Sequence, residues 1–402
     1  MTLTHFLLLS TLAAGAVQAE QVTALKDAVA EAEVKLDLRY RLEGVSDDNV
    51  PDKDALASTL RTTLKLTTAP YRHFQLVIEA ENVAAVGNDR LFRNLGAGSA
   101  SNGVTDRPVV ADADSTELNQ AYLRFDHGQT RFTLGRQEIN LGDQRFVGAV
   151  GWRQNHQSFD ALSVAGEASD RVSWSYSLLG RVHRIFGGSQ GMTSHLANAK
   201  IDAGKAGALT AYAYLLDYDD GDAGLSTSTF GAELAGSHEL SGSGKILYEI
   251  ELASQQDFAD NPNAIDAGYA NLMAGYVAGQ WTSKIGWESL EGSAEDGQFR
   301  TPLATLHKFN GWADKFLGTP TDGLEDLSLS LAWRGSGRSA AIIFHDFSAS
   351  EGSTDYGQEL DLLLTWTTQA GPLLGAKAAI YDAETLAADT EKLMLWVQYG
   401  FD

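Results

Sequence analysis

Arg136, Arg145 and Arg153 lie within one stretch of the 402-residue chain, with Gly142, Gly148 and Gly151 between them. A guanidinium stays charged at any physiological pH and grips a carboxylate through two parallel N–H bonds. Glycines let such a segment bend away from a wall. The three arginines can therefore converge in a narrow, partly dry passage, where they would attract anions. The same stretch carries Glu138, Asp143 and Asp160, so a second reading stands beside the first: each arginine pairs with a nearby carboxylate and braces the surrounding structure. Parity bears on Arg136 in particular. On a strand, Phe132, Leu134 and Arg136 share one face, and only a bulge at Gly135 would turn the arginine away from its apolar neighbours.

Other chemistry finds less support. His156 and Ser158 form the one tempting nucleophile and base pair, but no third partner accompanies them. No Gly-x-Ser-x-Gly elbow, His-Glu-x-x-His helix or phosphate loop occurs. No catalytic residue is assigned, and a hydrolase remains only as an alternative. Asp217, Asp219, Asp220 and Asp222 around Gly221 resemble part of a calcium loop, yet they lack the distant Glu such a loop needs. Without cysteine, thiolate metal sites and disulfides are excluded. No cofactor is expected, apart from Ca²⁺ or Mg²⁺ held loosely between acidic external loops and lipopolysaccharide phosphates.

The elements that must position these residues show themselves by a period of two. Val34, Leu36, Leu38, Tyr40 and Leu42 alternate with Lys35, Asp37, Arg39, Arg41 and Glu43, giving one greasy and one charged face. Leu60, Leu64 and Leu66 oppose Arg61 and Lys65, and the pattern recurs at 172–178, 245–252, 327–333 and 360–366. A soluble sandwich seldom carries an unbroken apolar face opposite a fully charged one, whereas a water-filled barrel interior accepts it. Inward parity thus adds Arg39, Arg41, Arg61, Lys65, Arg124, Arg171 and Arg181 to the anion-binding candidates, balanced by Glu33, Asp37, Glu79, Glu81 and Glu249.

The expected fold is a transmembrane antiparallel β-barrel over 33–402, of about eighteen strands, or sixteen if the weaker ones are set aside. Connections at 44–55, 83–116, 137–158, 182–193, 217–227, 254–267, 289–323, 348–356 and 382–391 are long, and those between them are short. Such alternation fits both termini in the periplasm. Loops 83–116 and 289–323 are the candidates for folding inward as a gate. Residues 1–19 read as a signal peptide, with an apolar stretch from Phe6 to Ala14 and small residues before the cut after Ala19. Residues 20–32 form a short periplasmic segment. The chain closes on the alternating Leu393, Leu395, Val397, Tyr399 and Phe401, although Asp402 replaces the usual terminal aromatic. A net charge of −23 and a mean hydropathy of −0.18 exclude a nucleic-acid binder and suit a barrel with one lipid-facing side.

The stretch Leu134-Gly135-Arg136-Gln137-Glu138-Ile139-Asn140, continuing through Asp143-Gln144-Arg145-Phe146-Val147-Gly148 and Trp152-Arg153-Gln154-Asn155 to Phe159-Asp160, resembles the alginate-export family of outer-membrane porins. Thr305 to Leu317 resembles a later segment of the same family. The resemblance implies a monomeric eighteen-stranded barrel in the outer membrane of a Gram-negative bacterium. It also implies an arginine-rich constriction passing alginate or smaller uronate-like anions, and the barrel reading itself places the chain against membrane lipid and lipopolysaccharide. A structural or plugged barrel is the alternative, although about eighteen strands normally leave an aqueous channel.

Overall fold

The computed structural model describes residues 22–401 apart from Pro51 and Ser243, so the signal peptide at 1–19 lies outside the described residues. The period of two becomes eighteen strands. The first six are β1 (Glu33–Asp47), β2 (Ala55–Thr67), β3 (Phe74–Ala85), β4 (Ser115–His127), β5 (Thr130–Gln137) and β6 (Ser158–Ser169). Next come β7 (Val172–His183), β8 (Ser189–Asp202), β9 (Ala208–Leu216), β10 (Thr227–Leu240), β11 (Gly244–Asp257) and β12 (Asp266–Ala278). The last are β13 (Trp281–Leu290), β14 (Leu324–Gly335), β15 (Arg338–Ser348), β16 (Asp355–Thr367), β17 (Leu373–Ala383) and β18 (Thr390–Phe401). Each pairs antiparallel with its chain neighbours, and β18 closes on β1, Leu42 facing Leu395 and Tyr40 facing Val397. Closure leaves no row of unpaired backbone groups, which is the condition for a sheet to stand in hydrocarbon.

Burial follows parity. Leu134, Leu329, Leu364 and Leu393 are among the most exposed apolar residues, while Arg39, Arg41 and Glu43 on β1 are buried. That inversion of the soluble pattern marks the outer face as lipid-facing. Phe74, Phe125 and Phe132 cluster near the short-turn end with centroids 4.7 and 6.1 Å apart, part of an aromatic girdle. The short N-terminal segment contains one helical turn and a half, Leu25–Ala30, whose Ala28 carbonyl accepts from the Ala69 amide in the β2–β3 turn.

Two expectations need correction. Strands run from 8 residues in β5 to 15 in β1 and continue past their apolar parts, because pairing needs only backbone; polar Ser46, Asp47 and Ser189 are still paired. The connections shrink accordingly, 44–55 to 48–54 and 182–193 to 184–188. The loop at 184–188 is no longer than the turn at 203–207, so the alternation of long and short is not strict.

Candidate functional site

Two connections leave the wall and fill the barrel. Loop 138–157, after β5, and loop 291–323, after β13, meet through a parallel bridge between Val147 and Leu303. The Gly148 amide donates to the Leu303 carbonyl at 2.9 Å, and Gln157 Nε2 donates to the same carbonyl at 3.0 Å. A Cβ at Gly148 would lie 2.2 Å from Thr305 Oγ1, so only glycine allows this approach. Phe146 anchors the contact against Tyr212, Tyr269 and Phe299 at 5.2–5.9 Å. Both loops expected to fold inward contribute: 291–323 crosses the barrel, and the loop after β3 brings the buried Asp112 to Arg41 and to the Gln154 amide; the arginine-bearing segment 138–157 bends inward as well.

The wall holds loop 138–157 with arginines. Arg39 donates from Nε to Gln154 Oε1 at 2.9 Å, from Nη1 to the Gly151 carbonyl at 3.0 Å, and from Nη2 to the carbonyls of Trp152 and Arg153. Arg41 donates to the Trp152 carbonyl at 2.7 Å, pairs with Asp112, and lies 5.1 Å from the Trp152 ring centroid. Arg61 pairs with Asp37 at 2.9 Å and sits 3.3 Å from His156 Nε2. His156 in turn donates its backbone amide to Glu81 at 3.0 Å and pairs its ring with the same carboxylate. Burial opposes charging this imidazole, but the Glu81 carboxylate outweighs it and raises the pKa above the ordinary value. Burial likewise opposes charge on Asp112, yet the guanidiniums of Arg41 and Arg153 hold its carboxyl below the usual range.

Arg153 joins both loops to the wall, with Nη1 3.3 Å from Glu43 on β1 and Nη2 bonded to Asp314 of loop 291–323. Asp314 also takes His307 Nδ1 at 2.7 Å and Lys392 Nζ at 2.6 Å. Burial keeps His307 neutral, its pKa well below the ordinary value. Burial works against the Asp314 charge as well, but His307, Lys392 and Arg153 hold its carboxyl well below the usual range. Lys377 on β17 is clasped between two rings, its Nζ 3.8 Å from the Trp152 centroid and 4.0 Å from that of Trp312. On β16, Glu359 accepts from the Ala313 amide at 2.7 Å and Asp361 from the Trp312 amide at 3.2 Å. Arg145 pairs with Glu288 at 2.7 Å and donates to Asn310 at 3.0 Å, its guanidinium 4.8 Å from the Phe309 ring.

The ten residues singled out by sequence thus divide. Arg39, Arg41, Arg61, Arg145 and Arg153 converge around the two loops, buried and bonded to carbonyls, carboxylates and amide side chains, although the Nε atoms of Arg41 and Arg61 are buried without a partner. Lys65 pairs with Glu79 at 3.1 Å and Arg124 with Asp126 at 3.1 Å, both partly open to the lumen. Arg171 is exposed in the β6–β7 turn. Arg136 stands apart. It pairs with Asp160 at 2.9 Å on the outward face it shares with Leu134, as its parity foretold, and Gly135, despite a φ of 125°, does not reverse it. Arg181 faces Asp160 in register, so it too lies on that face and not in the lumen, because β7 bulges at Gly180. Of the wetter charges, sequence reasoning named Glu249 and Asp143 but missed Glu233, Lys284 and the role of Lys308. The loop pair Lys308 and Asp143, with Nζ 3.4 Å from the carboxylate, lies within electrostatic reach of Glu233, Glu249 and Lys284 on the wall. Glu251 nearby accepts from Tyr212 Oη at 2.8 Å. Asp217 to Asp222 occupy the loop after β9, and among the described residues no group of three or more His, Asp or Glu converges to hold a metal ion.

Residues 30–178 match the family model described as Alginate export, a span containing the first of the two stretches that resemble that family and stopping short of the second. No curated protein matches the sequence. Among solved structures the chain is similar to OccAB2 of Acinetobacter baumannii, at 15% identity and a TM-score of 0.73, covering 93% of this chain and 99% of that one. OccAB4 of the same organism gives 13% and 0.71, covering 96% and 99%. OpdK of Pseudomonas aeruginosa, solved with vanillate, gives 12% and 0.72, covering 93% and 99%. At such identities the likeness is one of fold. The chain thus has the eighteen-stranded fold of these outer-membrane barrels, and its first part resembles the alginate-export family.

Proposed function

We propose that this alginate-export-type barrel is a monomeric passive channel for small carboxylate-bearing solutes, with its long loops outside the cell and both termini in the periplasm. One observation carries the reading. Loops 138–157 and 291–323 are locked across a barrel whose eighteen strands would otherwise enclose a wide aqueous lumen. A lumen so narrowed favours a small anion over a polysaccharide. The buried arginines set the shape of the passage, while Lys284 and Lys308 supply cations on its wetter side, where a carboxylate can meet them. The vanillate in OpdK, a small carboxylate in a barrel of the same fold, agrees with this. The side chains Glu233, Glu249 and Asp143 facing those lysines favour a second reading, a solute that also carries a cationic group.

Single-channel recording in a planar bilayer, combined with swelling of liposomes in a monomeric uronate, a polyuronate and a basic amino acid, tests both. Swelling with the monomer and none with the polymer is expected. Equal rates for polymer and monomer, or no conductance at all, would overturn the proposal. Faster swelling with the amino acid than with the uronate would favour the second reading. An epitope in 217–226 that is hidden on intact cells would overturn the sidedness.

A further inference from the structure

We propose that the outward face of β5–β7 is a binding site for a phosphorylated glycolipid of the outer leaflet, with Arg136 and Arg181 holding the phosphate above a groove that seats an acyl chain. The register builds the cationic row: Arg136 stands opposite Asp160, and Asp160 opposite Arg181, so three neighbouring strands present these side chains side by side. Asp160 is already engaged by Arg136 at 2.9 Å and by His183 Nε2 at 2.9 Å. Arg181 is exposed and donates to Ser189 Oγ at 3.1 Å. Arg136 also donates Nη1 to the Leu118 carbonyl at 3.1 Å, and the Asp219 carboxylate stands over Gly191, the register partner of Arg181, so of the five N–H donors on each guanidinium the open ones lie mainly on Arg181. A phosphate presents several acceptor oxygens to such a fork.

Directly below the row, toward the short turns, a groove opens between Leu134, Leu162 and Leu178, with Gly180 and Met192 along its side and Asp160 at its charged end. Gly180 creates the space. It is the unpaired residue of the β7 bulge, and the same bulge sets Arg181 opposite Asp160. An apolar trough ending at a basic row matches a lipid whose chains leave a phosphorylated sugar, and the row lies toward the loop ends of its strands, hence in the outer leaflet on the sidedness proposed above. The row and the groove lie outside the barrel and are independent of what passes through the lumen.

The test uses the full-length barrel in nanodiscs, with retained lipid counted by native mass spectrometry against phosphorylated and dephosphorylated lipid A. Arg181→Gln removes one phosphate contact at the surface and should lower retention of the phosphorylated form about fivefold. Gly180→Leu fills the groove without touching charge. A Cβ there would meet only the Asp160 carbonyl, at 3.7 Å, so the backbone accepts it. It should lower retention by a similar factor, and both variants should keep heat-modifiable gel mobility and wild-type conductance. Wild-type retention in either variant, or equal retention of dephosphorylated lipid, would overturn the site.

Discussion

Arg153 and Glu43 lie 110 residues apart in the chain, yet Nη1 of the arginine is 3.3 Å from both carboxylate oxygens, with both side chains buried. The other arm of Arg153 binds Asp314. One guanidinium therefore ties β1, loop 138–157 and loop 291–323 together. Arg153→Ala would take one cationic partner from each of two buried carboxylates, leaving Glu43 with Arg41 at 3.5 Å and Asp314 with Lys392 at 2.6 Å, a loss of about 3 kcal/mol, the lower end for removing one partner of a buried pair. The barrel wall does not depend on it. We expect retained heat-modifiable mobility, faster proteolysis within 138–157 and 291–323, and larger, noisier single-channel currents. Unchanged currents in a correctly inserted variant would show that the loops are held elsewhere.

Lys377 contributes by charge and by packing, and the two can be separated. Its Nζ lies about equally far from the Trp152 and Trp312 rings, so it joins the two loops through their aromatic faces. Lys377→Met keeps most of the stem and removes the cation; loss of about 2 kcal/mol of loop anchoring is expected for a desolvated cation–π contact. A double-mutant cycle with Trp312→Leu, read by loop proteolysis, should show coupling between the two positions. Strict additivity would reduce Lys377 to a space-filling residue.

How much of this was readable depends on what parity carries. Alternation alone turns Arg39, Arg41 and Glu43 inward and Leu36, Leu38 and Leu42 outward. It also foretold that Arg136 shares the face of Leu134. Parity says nothing of distance to water, so it could not distinguish an arginine lining a passage from one consumed by the carbonyls of Gly151, Trp152 and Arg153. It failed for Arg181 because a bulge at Gly180 shifts the count by one. The folded-in loops have no periodicity at all. Asp112 therefore gave no signal, while Trp152, Lys308, Trp312 and Asp314 stood inside the stretches that resemble the family without revealing their partners, Lys377 between the two tryptophans among them.

Gly135 illustrates a constraint of backbone alone. Its φ of 125° is rarely open to other residues, and a Cβ there would lie 2.4 Å from the Ala121 carbonyl oxygen. Gly135→Ala should cost about 1–3 kcal/mol, the usual range for a strained residue. β5 is the shortest strand of the wall, so the cost should appear as a lower unfolding temperature on heated gels. A wild-type temperature would mean that β5 can relax around the methyl group.

His156 predicts a response to alkali. Its folded-state pKa lies above the ordinary 6.5 because Glu81 outweighs burial. A group raised in this way stabilises the folded contact fully below its unfolded pKa and ceases to do so as pH rises through the folded value. Loop 138–157 should therefore loosen from β3 on going from about pH 6 to pH 9. Current noise should rise over that window in the wild type and stay flat in His156→Gln. Parallel profiles for the two would remove His156 from the account.

His307 predicts the opposite response, in acid. The folded protein holds this imidazole neutral, its pKa well below 6.5, because burial and the neighbouring Lys377 and Arg153 disfavour a further cation. A released loop 291–323 would restore the ordinary pKa. As pH falls below 6.5 the released form gains a proton that the latched form refuses, and the latch weakens by up to about 1.4 kcal/mol per pH unit. Asp314 does not share this window. Its folded-state pKa is depressed below the ordinary 3.8, so its contribution is complete above that value and is lost only at still lower pH. The window between about pH 6.5 and pH 4 therefore separates His307 from Asp314. Conductance recorded across that range should increase, or become unstable, in the wild type. His307→Gln keeps a donor for Asp314 and cannot titrate, so it should hold a constant conductance from pH 7 to pH 4.5. If the variant follows the wild type through that range, the acid response originates elsewhere in the lumen and His307 only packs against Trp152.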